Sequence, residues 1–177
     1  VPAECSADLT VAASIPDRYV PSPEQRMDLY RRIAHIRTEE EADDLVDELI
    51  DRYGDPPRTV NALISIALLR AAAAGQGIGE IVQRGERLTF TLAQVDLGKV
   101  SALCAGPMGK RISFSAGEKP ALALQVRKGE DPLKLAAKVV ETYAQGLPPA
   151  GWGRGRPAPV CKKEGAPPRG GGPRVFF

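Results

Sequence analysis

The stretch that decides the fold is Ile15-Pro-Asp-Arg-Tyr-Val-Pro-Ser-Pro-Glu-Gln-Arg-Met-Asp-Leu-Tyr-Arg-Arg-Ile-Ala34, because it contains a complete helix start. The hydroxyl of Ser22 can cap the first turn, and Pro23 fits the first helical position. Gln25 is placed to bond back to the cap and close a capping box. Helical spacing predicts that this helix buries one apolar face, made of Met27, Tyr30, Ile33 and Ala34.

A second helix start follows at Thr38-Glu-Glu-Glu41, which is a capping box with its acidic side chains at the favourable end of the helix dipole. Gly54 is the predicted stop, because glycine readily adopts the left-handed conformation that ends a helix. The predicted buried stripe consists of Ala42, Leu45, Val46, Leu49, Ile50 and Tyr53. The two segments together predict a helical hairpin.

The opposite face of this second helix is strongly acidic. It consists of Asp43, Asp44, Asp47, Glu48, Asp51 and Arg52. Like charges on one helix repel each other, and a basic partner would relieve that repulsion. A solvated face with no partner explains the same pattern, so both interpretations stay open at this point.

The rest of the chain changes from helical to strand periodicity. A third helix follows Asp55-Pro-Pro57. Because apolar residues occur around most of its circumference, we expect it to lie at the centre of the domain. Residues 80–92 and 111–126 then read as two strand pairs, and Asp131-Pro132 begins a last helix. We therefore expect an α+β fold, with an N-terminal helical hairpin and a central helix packed with a small, mainly antiparallel β-sheet and further helices.

Composition divides the chain into three parts. Residues 1–21 contain three prolines and little periodicity, which predicts an extended linker, and residues 22–145 form the α+β domain. Residues 146–177 contain eight glycines and seven prolines, with six lysines and arginines against one glutamate. This composition predicts a flexible basic tail. Within it, Arg154 and Arg156 are candidates for contacts with nucleic acid, since Arg-Gly-Arg-Pro resembles the core of an AT-hook.

No catalytic, metal or cofactor site is predicted. Gly106-Pro-Met-Gly-Lys-Arg111 lacks the spacing and the hydroxyl residue of a phosphate-binding P-loop, and no other segment has one. The three cysteines lie far apart, without a metal-binding signature. No nucleophile has an identifiable base. The longest apolar stretch is too short to span a bilayer, and no signal peptide is apparent, so we expect a cytoplasmic protein without enzymatic activity of its own.

Three motifs carry a family resemblance. The first is Ile15-Pro-Asp-Arg-Tyr-Val-Pro21, the second is Arg26-Met-Asp-Leu-Tyr-Arg-Arg-Ile33, and the third is Glu48-Leu-Ile-Asp-Arg-Tyr-Gly54. In order and spacing they resemble the opening of the C-terminal domain of the bacterial transcription-repair coupling factor. The resemblance extends over about residues 10–145 and is weaker through the strands.

The resemblance implies a regulatory function in transcription-coupled nucleotide excision repair. The family's full-length protein is an ATP-driven DNA translocase that displaces stalled RNA polymerase. Its C-terminal domain is implied to pack on an N-terminal module that resembles the repair helicase. This packing masks recruitment of the damage-recognition ATPase until RNA polymerase is engaged. Glu48, Asp51 and Arg52 are the residues implied to face that module, and residues 1–21 would lead from the helicase module. The alternative is a nucleic-acid-binding module anchored by the basic tail.

Overall fold

The computed structural model describes residues 4–146 and the backbone of Lys162–Lys163. Its helices are α1 (Pro23–Ala34), α2 (Glu39–Tyr53), α3 (Arg58–Gly75), α4 (Leu97–Ala105) and α5 (Pro132–Gln145), with a short 3-10 turn at Gly109–Arg111. Its strands are β1 (Ser6–Asp8), β2 (Ile78–Arg84), β3 (Arg87–Leu92), β4 (Ile112–Ser115), β5 (Ala121–Gln125) and β6 (Lys162–Lys163). The predicted α+β class is confirmed.

The strands form a single mixed sheet in the order β1-β2-β3-β5-β4-β6. Its four central strands pair antiparallel, whereas β1 runs parallel to β2 and β6 runs parallel to β4. Gly85 takes a φ of 59° in the tight turn between β2 and β3, a conformation that glycine adopts at little steric cost. Leu88, Phe90 and Leu92 alternate with less buried residues along β3, as expected for a strand with one face on the core.

Two hydrophobic clusters fill the described part of the chain, and α3 belongs to both. Val60 and Ile64, near its start, lie in a helical cluster with residues of α1 and α2. Leu69 and Ala73, nearer its end, lie in the cluster between the sheet and helices α4 and α5. The predicted central position of this helix therefore follows from its apolar character on more than one side.

The buried face of α1 differs from the predicted one. Leu29 and Ile33 are buried, whereas Met27 is 54% exposed. The side chain of Gln25 does not return to the cap, because its Oε1 accepts a hydrogen bond of 2.9 Å from the Tyr53 hydroxyl. Helical spacing identifies sets of residues that share a face, but the positions of α2 and α3 decide which set is covered.

The predicted linker, as far as it is described, packs along the domain. Ile15 and Val20 are buried in the helical cluster, and the Ile15 N–H donates a 2.8 Å hydrogen bond to the Tyr30 hydroxyl. β1 adds an edge strand to the sheet. Apart from Gly146 and the two residues of β6, the predicted flexible tail lies outside the described residues. Among the helices described, none combines the length and apolar character that crossing a bilayer requires.

Candidate protein-interaction surface

Local hydrogen bonds fix where α2 begins. Thr38 Oγ1 accepts a hydrogen bond of 3.2 Å from the Glu41 N–H, and Glu41 Oε2 accepts one of 3.3 Å from the Thr38 N–H. The same carboxylate also accepts from the Arg37 N–H at 2.7 Å. This is the predicted capping box, and it sets the rotation of α2 from its first turn.

A charged cluster joins the two helices of the hairpin. Arg32 donates from Nη1 to Glu48 Oε1 at 2.9 Å and from Nη2 to Oε2 at 2.6 Å. Arg52, one turn further along α2, donates to Glu48 Oε1 at 3.2 Å. The bidentate hydrogen bond from Arg32, aided by Arg52, lowers the pKa of Glu48 from 4.5 to about 2. Glu48 is thus ionised at neutral pH and held within the domain.

The aspartates of α2 lie beside this cluster but take no part in its hydrogen bonds. We define the acidic stripe as Asp43, Asp44, Asp47 and Asp51, all of them exposed. At 3.6 residues per turn they lie within an arc of about 100°, on the side opposite Leu45 and Leu49. Among the described residues none of the four forms an ion pair. The acidic stripe is therefore a surface of uncompensated negative charge.

The structure divides the three residues that the sequence singled out. Asp51 belongs to the acidic stripe, whereas Glu48 is turned toward α1. Arg52 lies on the far side of Glu48 from the stripe: it bonds Glu48, and its guanidinium carbon is 5.2 Å from the centre of the Tyr53 ring. The other two candidates, Arg154 and Arg156, lie outside the described residues.

Arg32 is the member of this surface that sequence reasoning missed. Its signal was a basic residue in the last turn of the first helix, with acidic residues in a second helix that runs antiparallel to it. Predicting its ion pair with Glu48 requires knowing how the two helices are rotated relative to each other. The spacing of residues within either helix does not give that rotation.

No group of side chains in the described part of the chain is arranged as the ligands of a metal ion would be. Nowhere in residues 4–146 do three or more histidine, cysteine, aspartate or glutamate side chains cluster as metal ligands would. The hairpin surface contributes charge and hydrogen-bonding groups but no nucleophile paired with a base. Recognition of another molecule is the chemistry that this arrangement supports.

Comparison with known proteins places this geometry in a family. A crystal structure of the C-terminal domain of a transcription-repair coupling factor superposes with a TM-score of 0.69 at 18% identity, covering 81% of this chain and 93% of that one. The transcription-repair-coupling factor of Bacillus subtilis is 28% identical over 130 residues, or 70% of this chain. That of Mycobacterium bovis is 38% identical over 80 residues, or 45% of this chain.

The match covers a small part of these relatives. The chain spans 11% of the length of the Bacillus protein and 6% of the Mycobacterium protein. A family model for the TRCF domain matches residues 9–102, which include the hairpin, α3 and the first two central strands. Because this match extends over more than half of the sequence, the chain belongs to the TRCF domain family of the transcription-repair coupling factor.

Proposed function

We propose that this chain is an autoinhibitory protein-interaction domain of a transcription-repair coupling factor. In this proposal it packs on the repair-helicase-like N-terminal module of the same full-length protein. It thereby masks the surface that recruits the damage-recognition ATPase until RNA polymerase is engaged. The observation that carries the proposal is the acidic stripe: four exposed aspartates on one helix, none of which forms an ion pair in the described part of the chain.

Electrostatics explains why such a stripe favours a partner. Like charges placed at i,i+4 on a helix destabilise it by a few tenths of a kcal/mol per pair. The rows Asp43–Asp47 and Asp47–Asp51 place carboxylates at that spacing along the stripe. A basic surface on the N-terminal module relieves this repulsion when it docks, and it is steered by the field of the stripe as it approaches.

The cluster of Arg32, Glu48 and Arg52 has a different role in this proposal. It fixes the two helices against each other, so that the stripe is presented by a rigid hairpin. Arg52, which follows Asp51 in sequence and is exposed, supplies a donor for a carboxylate or carbonyl on the partner. Glu48 then acts as a positioning residue, because Arg32 already engages both of its oxygens.

The strength required is modest. A repressed state that RNA polymerase can release needs a coupling free energy of about 1 to 3 kcal/mol, equivalent to a change of roughly 5- to 150-fold in affinity. Several partly screened charge pairs on the protein surface, each contributing up to about 1 kcal/mol, reach that range. Weak, salt-sensitive docking is therefore expected.

The test is a calorimetric titration of this chain with the isolated repair-helicase-like module, at low and at moderate salt. We expect binding that weakens with salt and is lost in the variant Asp47→Lys/Asp51→Lys. The matched control is Glu118→Lys/Glu141→Lys, which makes the same change of charge at exposed sites away from α2. The control should bind as the unmodified chain does.

If the titration shows no binding, a second experiment with the full-length factor is needed. Within one polypeptide the effective concentration of the domain reaches the millimolar range, so a contact too weak to titrate still forms there. The same variants are then compared for basal ATPase activity in the full-length factor. Unchanged activity in Asp47→Lys/Asp51→Lys, after a flat titration, contradicts the proposal and leaves the stripe a solvated face.

The alternative is a nucleic-acid-binding module anchored by the tail. Base stacking on the sheet does not support it, because Phe90 is buried and Phe114 packs against the core. Arg154 and Arg156 remain its candidates. Loss of salt-dependent DNA binding in Arg154→Gln/Arg156→Gln would favour this alternative.

A further inference from the structure

A second charged surface lies at one end of the sheet, away from the helical hairpin. Strand register brings its parts together: Arg84 is opposite Arg87, and Arg87 is opposite Gln125. Leu124 is in turn opposite Ile112, so the turn before β4 and the loop after β5 lie at the same end. We define the basic end as residues 84–87, 110–111 and 127–130.

The basic end concentrates positive charge in a domain whose body is otherwise acidic. It contains six cations, which are Arg84, Arg87, Lys110, Arg111, Arg127 and Lys128, against the two carboxylates of Glu86 and Glu130. These residues are far apart in sequence, and only the antiparallel pairing of four strands collects them.

One of the two carboxylates is already engaged. Glu130 accepts hydrogen bonds of 2.9 and 2.6 Å from Arg111 and one of 2.7 Å from the Arg127 N–H. The hydrogen bond from Arg111 is the main reason that the pKa of Glu130 is lowered to about 2. Arg111 also donates to the Gln125 carbonyl at 2.7 Å, so it holds both the end of β5 and, through Glu130, the loop after it against the turn before β4.

Four cations remain available at this end. The residues Arg84, Lys110, Arg127 and Lys128 are exposed, and none of their side chains forms an ion pair with a carboxylate in the described part of the chain. Arg84 also lines a recess of about 370 Å³, whose other lining residues include the cation of Arg111, the carboxylate of Glu86 and the small residues Ser113 and Ala123. The surface is open enough for an extended anion to lie across it.

We propose that the basic end binds the phosphate backbone of nucleic acid, without reading its sequence. Four strands spaced 4.7–4.9 Å apart give the surface a width of about 14 Å. A duplex carries one negative charge per about 1.7 Å of its axis, so several phosphates fall within that width. Such contacts position a protein on a duplex and require only cations.

The side chains present favour nucleic acid over an acidic protein. A stable protein–protein contact usually centres on buried aromatic or large apolar anchors. The large apolar side chains that are exposed in the described chain are Met27, Ile50, Val95 and Leu97, and none of them lies in the basic end. The strand aromatics Phe90 and Phe114 pack with the core, so stacking on bases is not part of the proposal.

The test measures binding of the full chain to a labelled duplex of about 20 base pairs by fluorescence anisotropy. The salt concentration is varied between about 50 and 200 mM, a range over which phosphate contacts change the affinity strongly. Four phosphate contacts predict a slope of about −3.6 for log K against log salt. The variant Arg84→Gln/Lys128→Gln should reduce that slope to about −1.8 and weaken binding roughly 50-fold at 0.1 M salt. The control Arg31→Gln/Arg58→Gln removes the same charge from exposed sites on the helices and should leave the slope unchanged.

Two further arms decide the source of the affinity. The variant Arg154→Gln/Arg156→Gln removes the tail candidates: a slope that falls there and not in the sheet variant overturns the proposal. In the second arm, poly-glutamate competes with the labelled duplex. If it displaces the duplex as well as unlabelled DNA does at the same concentration of negative charge, the surface binds an acidic protein and the proposal is overturned. Absence of salt-dependent binding by the unmodified chain also overturns it. Docking through the acidic stripe should be unaffected by the sheet variant, so the two proposals fail separately.

Discussion

Arg32 in the last turn of α1 and Glu48 in the middle of α2 form a bidentate ion pair across the hairpin, with both nitrogen–oxygen distances under 3 Å. Their side chains are 40% and 37% exposed, so the pair is partly screened by water. Its geometry restricts rotation of α2 about its axis. That rotation decides which residues of α2 face outward.

Removing Arg32 tests this relationship. We expect Arg32→Ala to lower the free energy of unfolding by about 1 kcal/mol, the range of well-formed surface ion pairs, because Glu48 keeps only Arg52. Urea unfolding followed by circular dichroism measures the change. Arg31→Ala is the control, since that neighbouring arginine is exposed and in no described ion pair. Equal decreases in the free energy of unfolding of the two variants would mean that the ion pair contributes nothing beyond the effect of replacing an arginine on this helix.

The same pair predicts a pH dependence. The pKa of Glu48 is about 2 in the folded chain against an ordinary value of 4.5. Its stabilising contribution is therefore complete above pH 4.5 and is lost as the pH falls toward 2. Glu48→Gln should be less stable than the unmodified chain at pH 6, and the difference should shrink between pH 4.5 and 2. A difference that stays constant across this window would show that ionisation of Glu48 contributes nothing.

Charge reversal at the border of the acidic stripe tests the proposed repression. In the full-length factor, Asp51→Lys/Arg52→Glu should leave the domain folded, because both side chains are exposed and Arg32 still holds both oxygens of Glu48 when the Arg52 hydrogen bond is lost. It should raise basal ATPase activity and binding of the damage-recognition ATPase, by a factor within the roughly 5- to 150-fold range of typical allosteric coupling. Glu118→Lys/Lys119→Glu makes the same swap in an exposed loop and should behave as the unmodified factor. Basal activity equal in both variants would count against the proposal.

The buried part of the N-terminal lead-in offers a test of the helical cluster. Ile15 packs with residues of α1, α2 and α3 although it precedes the first helix by several positions. Ile15→Ala should lower the free energy of unfolding by about 2–4 kcal/mol through lost burial and the cavity left behind. Asp17→Ala, at an exposed position of the same segment, should change it by less than about 1 kcal/mol. Thermal or urea denaturation of the two variants distinguishes a packed segment from a loosely attached linker.

Signals within a few residues were reliable predictors of this fold. Ser22 and Thr38 cap α1 and α2 as their sequence context predicts, and Gly54 follows α2 with a φ of 82°. A cap, a proline at the first turn and a glycine stop act through bonds and steric contacts within one turn of chain. Such contacts are present in the local sequence, so helix positions can be predicted without knowing what packs against them.

Predictions that depended on a neighbouring element were less complete. Met27 shares a helical face with Tyr30, yet it is exposed, because that part of the face is not covered by α2 or α3. Spacing along α2 groups Glu48 with the aspartates, whereas its hydrogen bonds to Arg32 hold it toward α1. Residue spacing shows which side chains share a face of a helix, but the element that packs against the helix determines which face is buried.

By itself, the sequence determined the helices, the strand pairs, the α+β class and the acidic character of α2, since each follows from local periodicity and capping. Tertiary structure alone decided that Glu48 pairs with Arg32, leaving the four aspartates as the uncompensated stripe. It also decided that Arg84, Arg111 and Lys128 meet at one end of the sheet. The physical reason is the same in both cases: electrostatic interactions depend on distance in space, and residues far apart in the chain become neighbours only when helices and strands pack.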